Sequence, residues 1–224
     1  WRNFIGGAAS LGDWYGRVLR DSLRRILPAL AFTLLIAGVS AWLSYAWVMD
    51  NVSDTISKAS PESLSRFEES LGELPDLSSL DGKLNASFLF LNNTRAVAVI
   101  FLVGMFSFSV LGVLIYILNI GLIGGLYALF ELLGLQPFPL FMAGVAPHGI
   151  FELPALMIGS AVVLYIGAAI VTPQTGKSMG EVILELMADW AKLFIGLVVP
   201  LLAIAAVIEA YVTPGILLSV IGAG

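Results

Sequence analysis

The only histidine of the chain, His148, precedes Glu152 by four positions in the run Pro147-His148-Gly149-Ile150-Phe151-Glu152-Leu153-Pro154-Ala155. Residues four apart share one helix face. Both stand at the head of an apolar stretch that continues to Val171. An ionisable side chain at membrane depth costs at least about 2.5–3.5 kcal/mol, so it normally faces protein or a wet cavity and has a partner. An imidazole beside a carboxylate can form an internal ion pair, relay protons or ligate a cation. Pro147 suits a first helical turn, where its missing N–H costs nothing. Pro154 is a local irregularity whose ring opposes the carbonyl of Ile150 and frees that oxygen for another partner.

These residues belong to an unusually apolar chain. Of 224 residues, 58% are hydrophobic and 12% charged, and the mean hydropathy is +0.95. This composition excludes a soluble enzyme and indicates an all-α, polytopic transmembrane bundle. With no cysteine, disulfides, thiolate ligands and a cysteine nucleophile are excluded. About 20 apolar residues cross a hydrocarbon core, which predicts about five spans: Pro28 to Met49, two within Ala96 to Phe130, His148 to Val171, and Ala191 to Val212. Asn119 and Gly121 mark the expected turn within the second stretch.

Residues 1–27 read as a cytoplasmic interfacial amphipathic helix, with Leu11, Tyr15, Val18, Ser22 and Ile26 on one face. Arg17, Arg20, Arg24 and Arg25 place the N-terminus in the cytoplasm of a multi-pass cell-membrane protein. Residues 28–49 form the first span, and 50–95 an acidic extracytoplasmic loop. Ser60-Pro61-Glu62 with Leu64, Phe67 and Leu71 predicts a short helical cap there. Asn51 and Asn85 begin sequons and are possible glycosylation positions, whereas the sequon at Asn92 lies too near the membrane. Residues 96–224 form the membrane core. Within it, 178–190 read as a cytoplasmic amphipathic helix opened by a Ser178–Glu181 capping box, with Glu185 and Asp189 on its polar face, leading into a last span over 191–212. The connector 135–146 is too apolar for a solvated loop and too irregular to span, so it dips into the interface or re-enters. Trp1 in place of an initiator methionine suggests a trimmed chain.

With the spans so placed, Asn92, Asn93, Arg95, Glu131, His148, Glu152 and Glu209 fall in one outer slab. As a structural network, Arg95 or His148 neutralises Glu152 or Glu209 and the amides satisfy the remainder. As a solute, ion or proton site, His148, Glu152, Glu131 and Glu209 form a pathway. As a metal site, one histidine with carboxylates is a legitimate ligand set, but the spacing matches no established hydrolytic signature, and no metal or cofactor is assigned. No catalytic residue is assigned, because no two-histidine zinc motif or nucleophile elbow is present. Gly176-Lys177-Ser178 lacks the earlier glycine of a phosphate loop, Val171 standing in its place, so nucleotide binding is rejected, and nothing calls for nucleic acid. Partners are membrane lipid and either another protein or a second copy; Gly121, Gly124 and Gly125 permit close helix contact, read as packing within the chain ahead of self-association.

The blocks Leu91-Asn92-Asn93-Thr94-Arg95, Asn119 with its following glycines, Pro147 to Ala155, and Ile208-Glu209-Ala210-Tyr211-Val212-Thr213-Pro214 resemble, in order, the stage II sporulation protein M family of bacterial and archaeal integral membrane proteins. The resemblance covers about residues 85–215, and its most specific block is the one holding His148, Glu152 and Pro154. Ile120 stands where the family often has glycine. The resemblance implies shared architecture and a role as membrane anchor or scaffold, which in endospore formers serves peptidoglycan-degrading partners. It assigns no catalytic role to His148, Glu152, Pro154 or Glu209 and does not carry sporulation over to this chain. The leading expectation is therefore a non-enzymatic membrane scaffold or complex subunit. The alternative is a transporter or channel component that uses the outer cluster.

Overall fold

The computed structural model describes residues 2–58, 85–172 and 176–221. The expected helical cap around Ser60 to Leu71 lies outside the described residues. All regular structure among the described residues is helical, and five helices are long and apolar enough to cross a membrane. We label the main helices α1 (Arg20–Ser57), α2 (Ala86–Phe106), α3 (Val110–Leu132), α4 (Pro137–Gly144), α5 (Ala146–Val171), α6 (Met179–Leu193), α7 (Val199–Tyr211) and α8 (Thr213–Ile221). A π-helical turn, Phe194–Val198, joins α6 to α7, and the fifth crossing is the combined stretch Met179–Tyr211.

The proposed boundary at residue 27 is not a break in the chain. Leu11–Asp13 and the π-helical turn Trp14–Leu19 lead directly into the 38-residue α1, with Pro28 inside it. Ser10 caps the start by accepting from the Asp13 N–H. The amphipathic segment and the first span are therefore one rod. Trp14, Val18, Leu19, Ser22 and Ile26 are buried against the bundle, so the apolar stripe packs on protein as well as lying at the end of a span. Trp14 Nε1 also donates to the carbonyl of Phe4 at 3.1 Å, tying down the short N-terminal helix.

The turn within the long apolar stretch lies at residues 107–109, not at Asn119. Phe108 and Ser109 adopt left-handed φ values of 50° and 75°, a region that is costly for residues with a side chain. Side-chain bonding compensates. Ser107 Oγ accepts from the Leu111 N–H at 3.0 Å and donates to the Val103 carbonyl at 2.7 Å, while Ser109 Oγ donates to the Val163 carbonyl of α5 at 2.8 Å. Asn119 and Gly121 lie inside α3, and the Asn119 amide bonds back to the Ile115 carbonyl at 2.8 Å, as helical polar residues do when lipid offers no partner. Glycine serves close packing here: a Cβ on Gly124 would collide with the Ala41 carbonyl of α1, and one on Gly112 would stand 2.9 Å from the Gly104 Cα.

α1 packs along α3, and α2, α5 and α7 form the inner group. Their shared core includes Val97, Ile100, Phe101, Ala155, Ile158, Ala161, Val162, Val163, Ile166 and Leu202. The connector around 135–146 contains α4, which packs against α8, with Gly144 facing Leu217. These two short helices sit together at one end of the bundle, called the loop end below because α1 ends and α2 begins there. The other end carries the N-terminal arginines and is called the arginine end.

Candidate functional site

The loop end gathers three ionisable side chains from two helices. Pro147 occupies the first turn of α5, which starts the helix just before His148. The helical repeat then places Glu152 one turn below on the same face. α7 rises beside α5 and brings in Glu209 near its own end. A ligand atom from each of His148, Glu152 and Glu209 lies within 4.8 Å of the other two, and all three residues are half-buried. His148 Nε2 stands 3.9 Å from Glu152 Oε2, beyond hydrogen-bond reach. His148 Nδ1 is 3.3 Å from the hydroxyl of Thr213, which is buried at the start of α8. Thr213 therefore orients the ring and leaves Nε2 facing the carboxylates. Pro154 lies two residues farther along α5, which continues through it.

The remaining members of the outer slab do not join this trio. Glu131 accepts from the Tyr45 hydroxyl at 3.0 Å, an exposed contact between α3 and α1. Asn92 and Arg95 are exposed on α2 and Asn93 is half-buried. Arg95 makes no ion pair among the described residues, so the neutralisation of Glu152 or Glu209 by Arg95 is not realised there. Asn51 lies inside α1, with its amide bonded to the Trp47 carbonyl at 2.8 Å, and Asn85 is the N-cap of α2, accepting from the Ser87 N–H at 2.8 Å.

A second polar cluster lies at the arginine end. Asp189 of α6, only 3% exposed, accepts from Ser22 Oγ at 2.9 Å, Arg25 at 2.8 Å and Lys192 at 2.8 Å. Helical spacing suggested an outward polar face shared by Asp189 and Glu185. Glu185 does face outward, paired with Lys177 at 2.7 Å, but Asp189 turns inward because α1 supplies a hydroxyl and a guanidinium to it. The relevant signal is a carboxylate and a lysine three apart, Asp189 and Lys192, on a helix flanked by apolar residues. The capping box forms as read: Ser178 Oγ accepts from the Glu181 N–H, and the Glu181 carboxylate from the Ser178 N–H. Beside the cluster, Trp190 stacks on Phe101 and on Phe194, with centroids 3.9 and 4.9 Å away.

Residues 29–214 match the model of the family described as Stage II sporulation protein M. The matched region contains every member of the trio, Thr213 and Asp189 with Lys192, but not Ser22 or Arg25. No curated protein and no solved structure shows significant similarity to the chain.

Proposed function

The chain belongs to the stage II sporulation protein M family, and from that premise we propose that it acts as a non-enzymatic membrane scaffold, or as the membrane subunit of a larger complex. That family is not known as a family of enzymes.

One observation carries the reading. The polar trio and the Asp189 cluster lie at opposite ends of the bundle, with a close-packed apolar layer between them. From Glu152 to Ile166, α5 rises roughly 20 Å, and over this distance Ala155, Ile158, Ala161, Val162, Val163 and Ile166 are buried. Val97, Ile100 and Phe101 of α2 and Leu202, Ala205 and Ala206 of α7 are buried on the facing helices. The interlocking extends to backbone, since a Cβ on Gly159 would stand 2.5 Å from Val97 Cγ1. A solute pathway needs polar groups or water to replace a hydration shell at each level, and among the described buried residues of α2, α5 and α7 the single polar side chain in this layer is Ser160. A rigid bundle with polar, partly open ends instead suits the holding of another protein at its ends.

The test pairs two experiments on the full chain. Reconstituted into liposomes under proton and cation gradients, it should give no flux above empty vesicles. With a photo-crosslinking residue at Thr55 or Asn85 in its native membrane, it should give a discrete adduct with one defined protein. A flux that Glu152→Gln abolishes would overturn the scaffold reading in favour of transport.

A further inference from the structure

We propose that His148, Glu152 and Glu209 bind one divalent first-row transition-metal ion, which clamps α5 to α7. The inference is independent of whether the chain is a scaffold.

Three observations carry it. The first is convergence: an imidazole nitrogen and two carboxylate oxygens from separate helices come within 4.8 Å of one another. At metal–ligand distances of about 2.0–2.2 Å, two ligands of a tetrahedral ion stand about 3.4 Å apart. The 3.9 Å between His148 Nε2 and Glu152 Oε2 is thus too long for a hydrogen bond and within a small side-chain rotation of joint ligation.

The second is the state of the ring. A ligating histidine characteristically has its other nitrogen held by a neighbouring polar group, which selects the tautomer and aims the free nitrogen. Thr213 does this from α8, 3.3 Å from Nδ1. Its hydroxyl can accept from an Nδ1–H, and that tautomer leaves a lone pair on Nε2, directed towards Glu152.

The third is charge. Two carboxylates meet one imidazole, and neither Glu152 nor Glu209 has a Lys or Arg partner among the described residues, whereas the Asp189 carboxylate at the other end has two. Placing carboxylates together without a cation is unfavourable in a partly buried site. A divalent ion would neutralise both. Imidazole with carboxylates suits ions such as Zn2+, Mn2+ and Co2+, and three protein ligands leave at least one position for water or a partner's side chain.

The test uses the full chain in nanodiscs, stripped with chelator and then equilibrated with Zn2+ or Co2+ alone. Elemental analysis should find one equivalent bound to the wild type and none to Glu152→Gln/Glu209→Gln, with both proteins checked for monodispersity and helix content. X-ray absorption on the wild type should show nitrogen and oxygen ligands with imidazole scattering, a readout that does not depend on any variant folding. Thr213→Val keeps every ligand and should bind about 10–100-fold more weakly, as loss of a group orienting a ligand does. Wild type retaining no more metal than the double variant would overturn the proposal, as would bound metal without imidazole scattering. A trio that takes up only protons would give the first of these results.

Discussion

At the scale of single residues, Asp189 is the most heavily committed side chain. It lies 3% exposed and answers two cations and a hydroxyl. Lys192 is almost equally buried at 6% exposed, while Arg25 is half in solvent. Replacing Asp189 by Asn keeps the shape but leaves the Lys192 ammonium without a counter-charge, and breaking a buried pair in this way costs about 3–5 kcal/mol. We expect Asp189→Asn to lower the free energy of unfolding measured in mixed detergent by about that amount. Asp189→Asn/Lys192→Met should recover most of the loss, because removing both charges also removes their desolvation cost, and Arg25 can turn to solvent. A double variant no more stable than the single would show that the cluster acts through Arg25 instead. This pair was only half legible in the sequence. Helical periodicity placed Asp189 beside Glu185, and nothing local indicates that Ser22 and Arg25 arrive from far along the chain. The trio at the other end was more legible, since His148 and Glu152 share a face by spacing alone. Glu209 could be added only from span counting, while the role of Thr213 depends on how α8 folds back after α7.

At the scale of elements, hydropathy located all five crossings, yet the turn between α2 and α3 was misplaced. Asn119 and Gly121 carry the composition of a turn, while Ser107-Phe108-Ser109 does not. The chain turns there because three serine hydroxyl bonds and docking on α5 offset two left-handed residues, a tertiary effect with no local signature. Gly121, Gly124 and Gly125 of α3 report contact with α1, whereas Gly112 meets α2 and α5, and those facing α1 are not equivalent. A Cβ at Gly124 would be driven into the Ala41 carbonyl, whereas one at Gly121 would meet only Ser40 Oγ at 3.5 Å and Ser44 Cβ at 3.6 Å, ordinary contact distances. Gly124→Ala should therefore separate the two helices at a cost of about 1–3 kcal/mol, the usual range for overpacking. Gly121→Ala should be neutral or slightly stabilising, because alanine is the better helix former. Unfolding midpoints of the two variants, measured side by side, test this. Equal losses would mean that helix flexibility, and not the crossing of α1 and α3, is what these glycines provide.

At the scale of the whole molecule, the fold sorts charge between its two ends, and the sorting predicts how the protein sits in a membrane. The arginine end carries Arg17, Arg20, Arg24, Arg25, Lys177 and Lys192 beside Asp13, Asp21, Glu181, Glu185 and Asp189, several of the cations being held there by ion pairs with Asp13, Asp189 and Glu185. The loop end carries Asp50, Asp54, Glu131, Glu152 and Glu209, with Lys58 and Arg95 as its described basic residues. Positive charge near span ends is retained on the cytoplasmic side, so the arginine end should face the cytoplasm and the metal-binding trio the exterior. Five crossings then require α8 and the end of α1 to lie outside together, as the contact of α8 with α4 at the loop end demands. The absence of cysteine makes the arrangement directly measurable. Thr55 is exposed at the outer end of α1, and Gly180 is exposed in the first turn of α6 with no atom within 4 Å of an added Cβ, so a cysteine at either position disturbs nothing packed. In intact cells a membrane-impermeant maleimide should label Thr55→Cys, and it should label Gly180→Cys only after the membrane is opened. The reverse pattern would place the trio in the cytoplasm. Equal labelling of both in intact cells would mean that the charge asymmetry between the two ends is too weak to impose a single orientation.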